Sequence, residues 1–316
     1  FEKKFASKVE KKHCVGVSNG TDALTAILLA LDLPKGSEVI VPAFTFIASA
    51  TVILKAGLKP VFVDVEKDSF STSLEIIERA CTKNTSAVIF VHLFGEHNNL
   101  NELSDFCNNR NIHLIEDCAQ SFGAPNAVFG IASSFSFFPA KNLGCLGDGG
   151  AVVTDNQGLD EKIRKIRKHG TSSPYKYELL GGNYRLDALQ AAFLQVLLPK
   201  ADAWIESRRR NARGYIDRLA DLDGLFLPKY SEKNSFNQFT LKVERRDDLK
   251  NFLLKKGIPS AVYYPEPISN NSIFDWEGSL PETERICKRV LSIPVYPGLT
   301  DIELEYVADN IRAFFK

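Results

Sequence analysis

Lys141 lies in the stretch SFSFFPAKNLGCLGDGGAVVT, residues 134–154, between a run of serines and aromatics and four glycines at 144, 147, 149 and 150. A lysine so placed can be a solvated charge, a phosphate clamp or a nucleophile. The last role needs an electron-poor carbonyl partner and a lowered pKa. No G-x-x-x-x-G-K-[ST] pattern occurs, which argues against a nucleoside-triphosphate loop, and neither G-x-S-x-G nor H-E-x-x-H is present. Ser136 stands five residues earlier. A strand ending there can aim its hydroxyl at a phosphate while the loop brings the lysine back to an adjoining ring.

Two further stretches supply what such a lysine would need. VSNGTDALTAILLAL opens a helix at Gly20, Thr21 and Asp22. Helix-start amides lack intrahelical partners and carry the positive end of the helix dipole, which suits a phosphate. Taken alone, an ordinary N-cap at Thr21 or Asp22 is the favoured reading. IEDCAQSFG ends an apolar strand at Asp117, with Gln120 three residues on. That carboxylate can sit under a ligand at the sheet edge or simply cap the next turn. Together, a phosphate cup, a ring-nitrogen carboxylate and a Schiff-base lysine are the parts that pyridoxal phosphate requires.

The elements that would position these residues are legible from periodicity. EVIVP (38–42), PVFVDV (60–65), SAVIFVHLFG (86–95) and IHLIED (112–117) read as strands buried on both faces, with SFSFF and GAVVT flanking Lys141. Leu24, Ile27, Leu28 and Leu31 recur at helical spacing, as do Leu74, Ile77 and Cys81. Such alternation predicts an α/β fold with a mainly parallel central sheet and ligands at the strands' carboxyl ends. Residues 1–222 are expected to form a large domain that includes a long connecting helix from about 186, interrupted near Pro199. Residues 223–316 read as a smaller C-terminal α+β domain with strands at QFTLKV and SAVYYP and helices over 246–256, 281–291 and 301–315.

Composition narrows the function classes. In 316 residues, 39 basic and 39 acidic side chains cancel, so no global field favours nucleic acid or an anionic membrane. The basic stretches KIRKIRKHG and RRR (208–210) read as solvated helix faces. Six scattered cysteines without CxxC or His/Cys metal spacing suggest a reducing, cytoplasmic setting and no metal. No apolar run reaches the roughly 20 residues that span a bilayer. The chain starts inside a helical pattern, FEKKFASKVEKK, so a preceding segment is expected.

VSNGTDAL, VIVPAFTFIAS, VFVDV, VHLFGE, IEDCAQSFGA, FSFFPAKNLGCLGDGGAVVT, GGNYRLDALQAA, AVYYPEPI and LSIPVYPGLT together resemble the DegT/DnrJ/EryC1/StrS family over nearly the whole length. The resemblance implies the pyridoxal-phosphate-dependent transferase fold of the aspartate-aminotransferase class. It implies conversion of a nucleotide-linked keto-sugar to an amino-sugar, with L-glutamate as donor, for surface polysaccharide or deoxyaminosugar biosynthesis. It also implies catalytic roles for Lys141 and Asp117, Gln120 beside the ring hydroxyl, and a phosphate site from Gly20, Thr21, Asp22 and Ser136. Phe46 would stack on the ring, against a competing reading as plain core packing. Asn183, with Arg185, would reach the phosphate from the neighbouring subunit of a homodimer. Lys and Arg at 162–168 could add cationic contacts near the cleft mouth. Two alternatives are a sister sugar 3-dehydratase, which carries histidine in place of the lysine, and a non-catalytic regulator or scaffold. The chain departs from the family in a shorter loop after SFGA and in Ser269, where His or Asn is frequent.

Overall fold

Seven short strands share one sheet in the computed structural model, which describes residues 1–67 and 69–316. They are β1 (His13–Val17), β2 (Glu38–Pro42), β3 (Lys59–Val63), β4 (Thr85–Val91), β5 (His113–Asp117), β6 (Ala132–Ser136) and β7 (Gly150–Thr154). Their spatial order is β1-β7-β6-β5-β4-β2-β3. Only β7 runs against its neighbours, so the sheet is mixed and mostly parallel, as the strand–helix alternation predicts. Because β7 is reversed, its first residue lies at the same sheet edge as the last residues of β1, β5 and β6.

Strand side chains alternate between faces, and the cores record that alternation. Val39, Val41, Ile89, Val91, Ile115 and Val152 belong to one cluster with the helices Gly20–Leu31 and Ala48–Lys55. Ile40, Val88, Phe90 and Leu114 belong to another, with Ile77 and Leu103 on the opposite side. Strand β1 lies outside the sequence-based reading. HCVGV is short, carries a glycine, and joins the sheet only through β7, so its local signal is weak.

The C-terminal part holds a small antiparallel sheet of Leu225–Phe226, Phe239–Val243 and Val290–Ile293. SAVYYP, expected as a strand, contributes only one bridge, Ala261 to Ser292. Pro259, Pro265 and Pro267 crowd that segment, and proline cannot donate to a ladder. The strand role passes to Val290–Ile293, which the expected helix over 281–291 had partly absorbed. That helix ends at Arg289. Residues 188–219 form the expected long helical stretch, interrupted near Pro199 by a single turn over Leu198–Lys200.

The arginines at 208 and 209 correct a second expectation. Arg208 is buried and donates to the carbonyls of Phe236 and Asn237. Arg209 donates to the carbonyls of Asn234 and Gly123. They tie the long helix to loops from both parts of the chain rather than facing solvent. No helix among the described residues is long and apolar enough to cross a membrane.

Candidate active site

The residues singled out around Lys141 converge at the carboxyl edge of β4, β5 and β6. β6 reads Ala-Ser-Ser-Phe-Ser. Its period of two sends Ser134 and Ser136 to one face and Ser133 and Phe135 to the other. β5 does the same with adjacent carboxylates, Glu116 and Asp117.

Asp117 is buried and turns toward the face of the helix Ala48–Lys55. Its Oδ2 accepts from Ser49 Oγ at 2.8 Å, and its Oδ1 accepts from Ala119 N–H at 3.1 Å and Ser134 Oγ at 3.4 Å. Glu116 points the other way. It accepts from His92 Nε2 at 2.8 Å and from the N–H groups of Ala127, Phe129 and Gly130 at 3.0, 2.9 and 2.8 Å. Burial pushes Glu116 up, but the His92 hydrogen bond and charge and these backbone donors hold it below the ordinary carboxylate range. Cys118 brings its sulfur within 4.8 Å of ligand atoms on His92 and Glu116, a proximity that spacing along the chain did not reveal. With these donors and the Ser133 hydroxyl at 3.4 Å, five in all, Glu116 fastens the 127–130 loop under the sheet.

Lys141 leaves the loop after β6 with its N–H bonded to the carbonyl of Phe138 at 2.8 Å. Asn142 anchors the loop, its Nδ2 donating to the carbonyls of Phe122 and Ser235 at 3.1 and 3.3 Å. Among the described residues, no ion pair within 4.0 Å engages Lys141. Burial lowers its pKa, and the nearby charge of Asp117 only partly opposes this. Lys141 is half-buried, and a partly desolvated, unpaired amine of lowered pKa is the state from which a lysine attacks a carbonyl.

The cup is built from four elements. Val17, at the end of β1, pairs with Gly150, at the start of β7. A side chain on Gly150 would put Cβ 2.4 Å from the Asn19 carbonyl carbon, so the glycine lets the 18–20 turn lie on the sheet edge. A Cβ on Gly20 would stand 2.9 Å from Cβ of Ser136, so those residues approach across the cup. The N-cap is Asn19, not Thr21 or Asp22: its Oδ1 accepts from Asp22 N–H at 2.8 Å. The Asp22 carboxylate accepts from Ser18 Oγ and Asn19 Nδ2, bracing the turn. Its own N–H is thereby taken, leaving Gly20, Thr21 and Ser136 as the free-facing donors of the cup.

Gln120 accepts the Phe94 N–H at 2.8 Å and donates through Nε2 to Tyr264 Oη at 3.3 Å. Burial pushes the Tyr264 hydroxyl well above its ordinary pKa. Phe46 is 56% exposed, with its ring centroid 6.3 Å from that of Tyr264, so core packing does not account for it. Ser18, Asn19, Ser49, Asn142 and Tyr264 escaped the sequence reading as individual roles. Asn19 alone had a usable local signal, asparagine being a preferred cap.

Asn183 and Arg185 are exposed and lie beside their own chain's cup: Arg185 bridges Val17, and Ser18 N–H donates to the Tyr184 carbonyl at 3.0 Å. The expected cationic mouth is largely spent elsewhere. Lys162 bonds the Ala30 carbonyl, Lys165 pairs with Glu178, and Arg164 and Arg167 both pair with Glu2.

This geometry fits pyridoxal phosphate on three counts: an unpaired, half-buried lysine, a cradle that a single Cβ would fill, and an exposed aromatic beside the polar floor. Comparison with known proteins agrees. The profile of the DegT/DnrJ/EryC1/StrS aminotransferase family matches residues 1–312. The chain belongs to this family of pyridoxal-phosphate-dependent aminotransferases. It is 41% identical over 309 residues to the UDP-N-acetyl-3-dehydro-alpha-D-glucosamine 3-aminotransferase of Acidithiobacillus ferrooxidans, covering 95% of this chain and 84% of that protein. It is 38% identical over 329 residues to the pleiotropic regulatory protein of Geobacillus stearothermophilus, covering 100% of this chain and 88% of that protein. The crystal structure of Streptomyces venezuelae DesV in complex with a ketimine intermediate superposes with a TM-score of 0.95 at 37% identity, over 100% of this chain and 88% of that one.

Proposed function

We propose that the chain moves an amino group from L-glutamate to a keto-sugar carried on a nucleoside diphosphate, a 3-keto or 4-keto hexose linked to UDP or dTDP. The observation that carries this reading is the state of Lys141, half-buried, without an ion pair, and near enough to Asp117 to feel its charge. When bound, the cofactor would supply an electron sink for the charge that develops at the donor's α-carbon. Lys141 would hold the cofactor and, once freed, would carry the proton to and from that carbon. Asp117 would keep the pyridine nitrogen protonated. Gln120 would stand beside the ring hydroxyl, Phe46 would cover one ring face, and Gly20, Thr21 and Ser136 would hold the phosphate. Asp22 serves the phosphate indirectly, by bracing Ser18 and Asn19.

The nucleotide-sugar acceptor rests on what the relatives are named for. The Acidithiobacillus protein acts on a UDP-linked keto-sugar by its name. The product here would enter surface polysaccharide or deoxyaminosugar biosynthesis. The working unit is a homodimer in a reducing, cytoplasmic setting, with Asn183 and Arg185 reaching the neighbour's phosphate. Support comes from the helix Ala188–Leu197, directly after that loop, where Leu194 is the one residue buried in the lone chain. Leu189 and Val196 on that helix stand 74% and 63% exposed, an apolar face suited to a second subunit.

Acceptor choice tests the reading. With L-glutamate as donor, purified protein should turn over a UDP- or dTDP-linked keto-hexose and show little activity with oxaloacetate or pyruvate. Efficient turnover of a small keto acid alone would contradict the acceptor assignment. Relatives named as regulators support the alternative. A protein that bound pyridoxal phosphate but never passed its amino group to any acceptor would favour it.

A further inference from the structure

Asp117 does not stand alone. Ser49, in the first turn of the helix Ala48–Lys55, is 1% exposed and 68 residues away in sequence. Its hydroxyl lies 2.8 Å from Asp117 Oδ2 and 3.2 Å from Thr45 Oγ1, another side chain 1% exposed. A carboxylate can only accept, so the Ser49 hydrogen goes to Asp117. The Thr45 hydroxyl must then donate to Ser49. The order Thr45 to Ser49 to Asp117 is thus fixed by the chemistry of its last member.

The rest of the carboxylate is also engaged. Oδ1 takes the Ala119 N–H and the Ser134 hydroxyl. A carboxylate has about four lone-pair sites, so three donors leave one, on Oδ2. Rotation of the carboxylate would break all three contacts together. None of them comes from within β5 itself. They come from the turn after β5, from β6, and from a helix reached through the PAFTF segment.

We propose that Ser49 is a positioning residue for the amino-transfer reaction: with Thr45 behind it, it fixes the Asp117 carboxylate so that its one open lone pair meets the cofactor's pyridine nitrogen. This rests on the proposed role of Asp117. Ser49 touches no reacting atom. It determines how firmly the carboxylate is held, and hence how well the cofactor nitrogen is held in its protonated form.

The test is a double-mutant cycle read on cofactor binding rather than turnover. Apo-protein of wild type, Ser49→Ala, Asp117→Asn and the double variant is titrated with pyridoxal phosphate, and the visible band of each loaded protein is followed against pH. Ser49→Ala should bind the cofactor about tenfold more weakly, the scale of one hydrogen bond to a charged group, and shift the band's pH midpoint. Ser49→Thr, which keeps the hydroxyl, should restore both. In the Asp117→Asn background, Ser49→Ala should add little, because its effect passes through the carboxylate. Thr45→Val keeps the shape and removes the donor behind Ser49, so it should shift the same quantities in the same direction by less. It serves if Ser49→Ala fails to fold. Folded variants with wild-type affinity and midpoint would overturn the proposal, as would equal losses in both backgrounds. Failure of the underlying reading looks different: Asp117→Asn itself would then leave cofactor affinity and the visible band untouched.

Discussion

At Lys141 stability and chemistry pull apart. Burial disfavours the ammonium, and Asp117 returns only part of that cost. The folded-state pKa therefore lies below the unfolded value of about 10.4, so the unfolded chain binds more protons between the two values. The charge penalty is fully present below the folded pKa and fades as pH rises toward the unfolded one. Lys141→Met keeps the aliphatic stem and removes the charge. Cofactor-free Lys141→Met should melt at or above the wild-type temperature near neutral pH, and the gap should close as pH approaches 10. Calorimetry across that range checks it, and a lower melting temperature throughout would contradict the desolvation argument.

What sequence could say at this scale depended on chemistry-bearing residues sitting at strand ends. Asp117, Ser136 and Lys141 were visible because each closes or follows an apolar run. Ser49 was not. It occupies an ordinary helix turn, and only the folded path from PAFTF to the helix brings it under Asp117.

At the scale of elements, strand alternation assigns the faces, and one side chain clasps the two parts of the chain. Asp64, just past β3, accepts from Glu282 N–H at 3.0 Å and from Thr283 N–H and Oγ1, each at 2.7 Å. The helix Pro281–Arg289 has no cap hydrogen bond from its own N-cap side chain, so Asp64 supplies that cap from far away in sequence. Asp64→Ala should cost about 1–2 kcal/mol in urea unfolding, the upper range for losing a cap. A loss under a few tenths would mean the clasp is ornamental. Such long-range caps leave no local sequence signal. The same holds for the edge strand β1 and the strand Val290–Ile293, whose partners decide their conformation.

For the whole molecule, the α/β architecture was legible because strands and helices alternate regularly across the first half. The C-terminal part was read less well, where prolines and tertiary pairing override short apolar runs. The subunit arrangement is the largest remaining consequence. If Asn183 and Arg185 complete a neighbour's phosphate site, inactive Lys141→Ala subunits mixed with inactive Asn183→Ala/Arg185→Ala subunits should regain activity. Random exchange would give about a quarter of the sites both intact halves, by the statistics of closed two-fold assemblies. Proven exchange without recovery would argue for self-contained sites, an outcome given weight by Arg185 lying beside its own Val17.

The attachment point of the cofactor tests the central claim most directly. Loaded protein should absorb in the visible, and borohydride reduction followed by peptide mapping should find the cofactor fixed to the peptide that contains Lys141. Fixation to any other lysine, or no covalent attachment at all, would contradict the account.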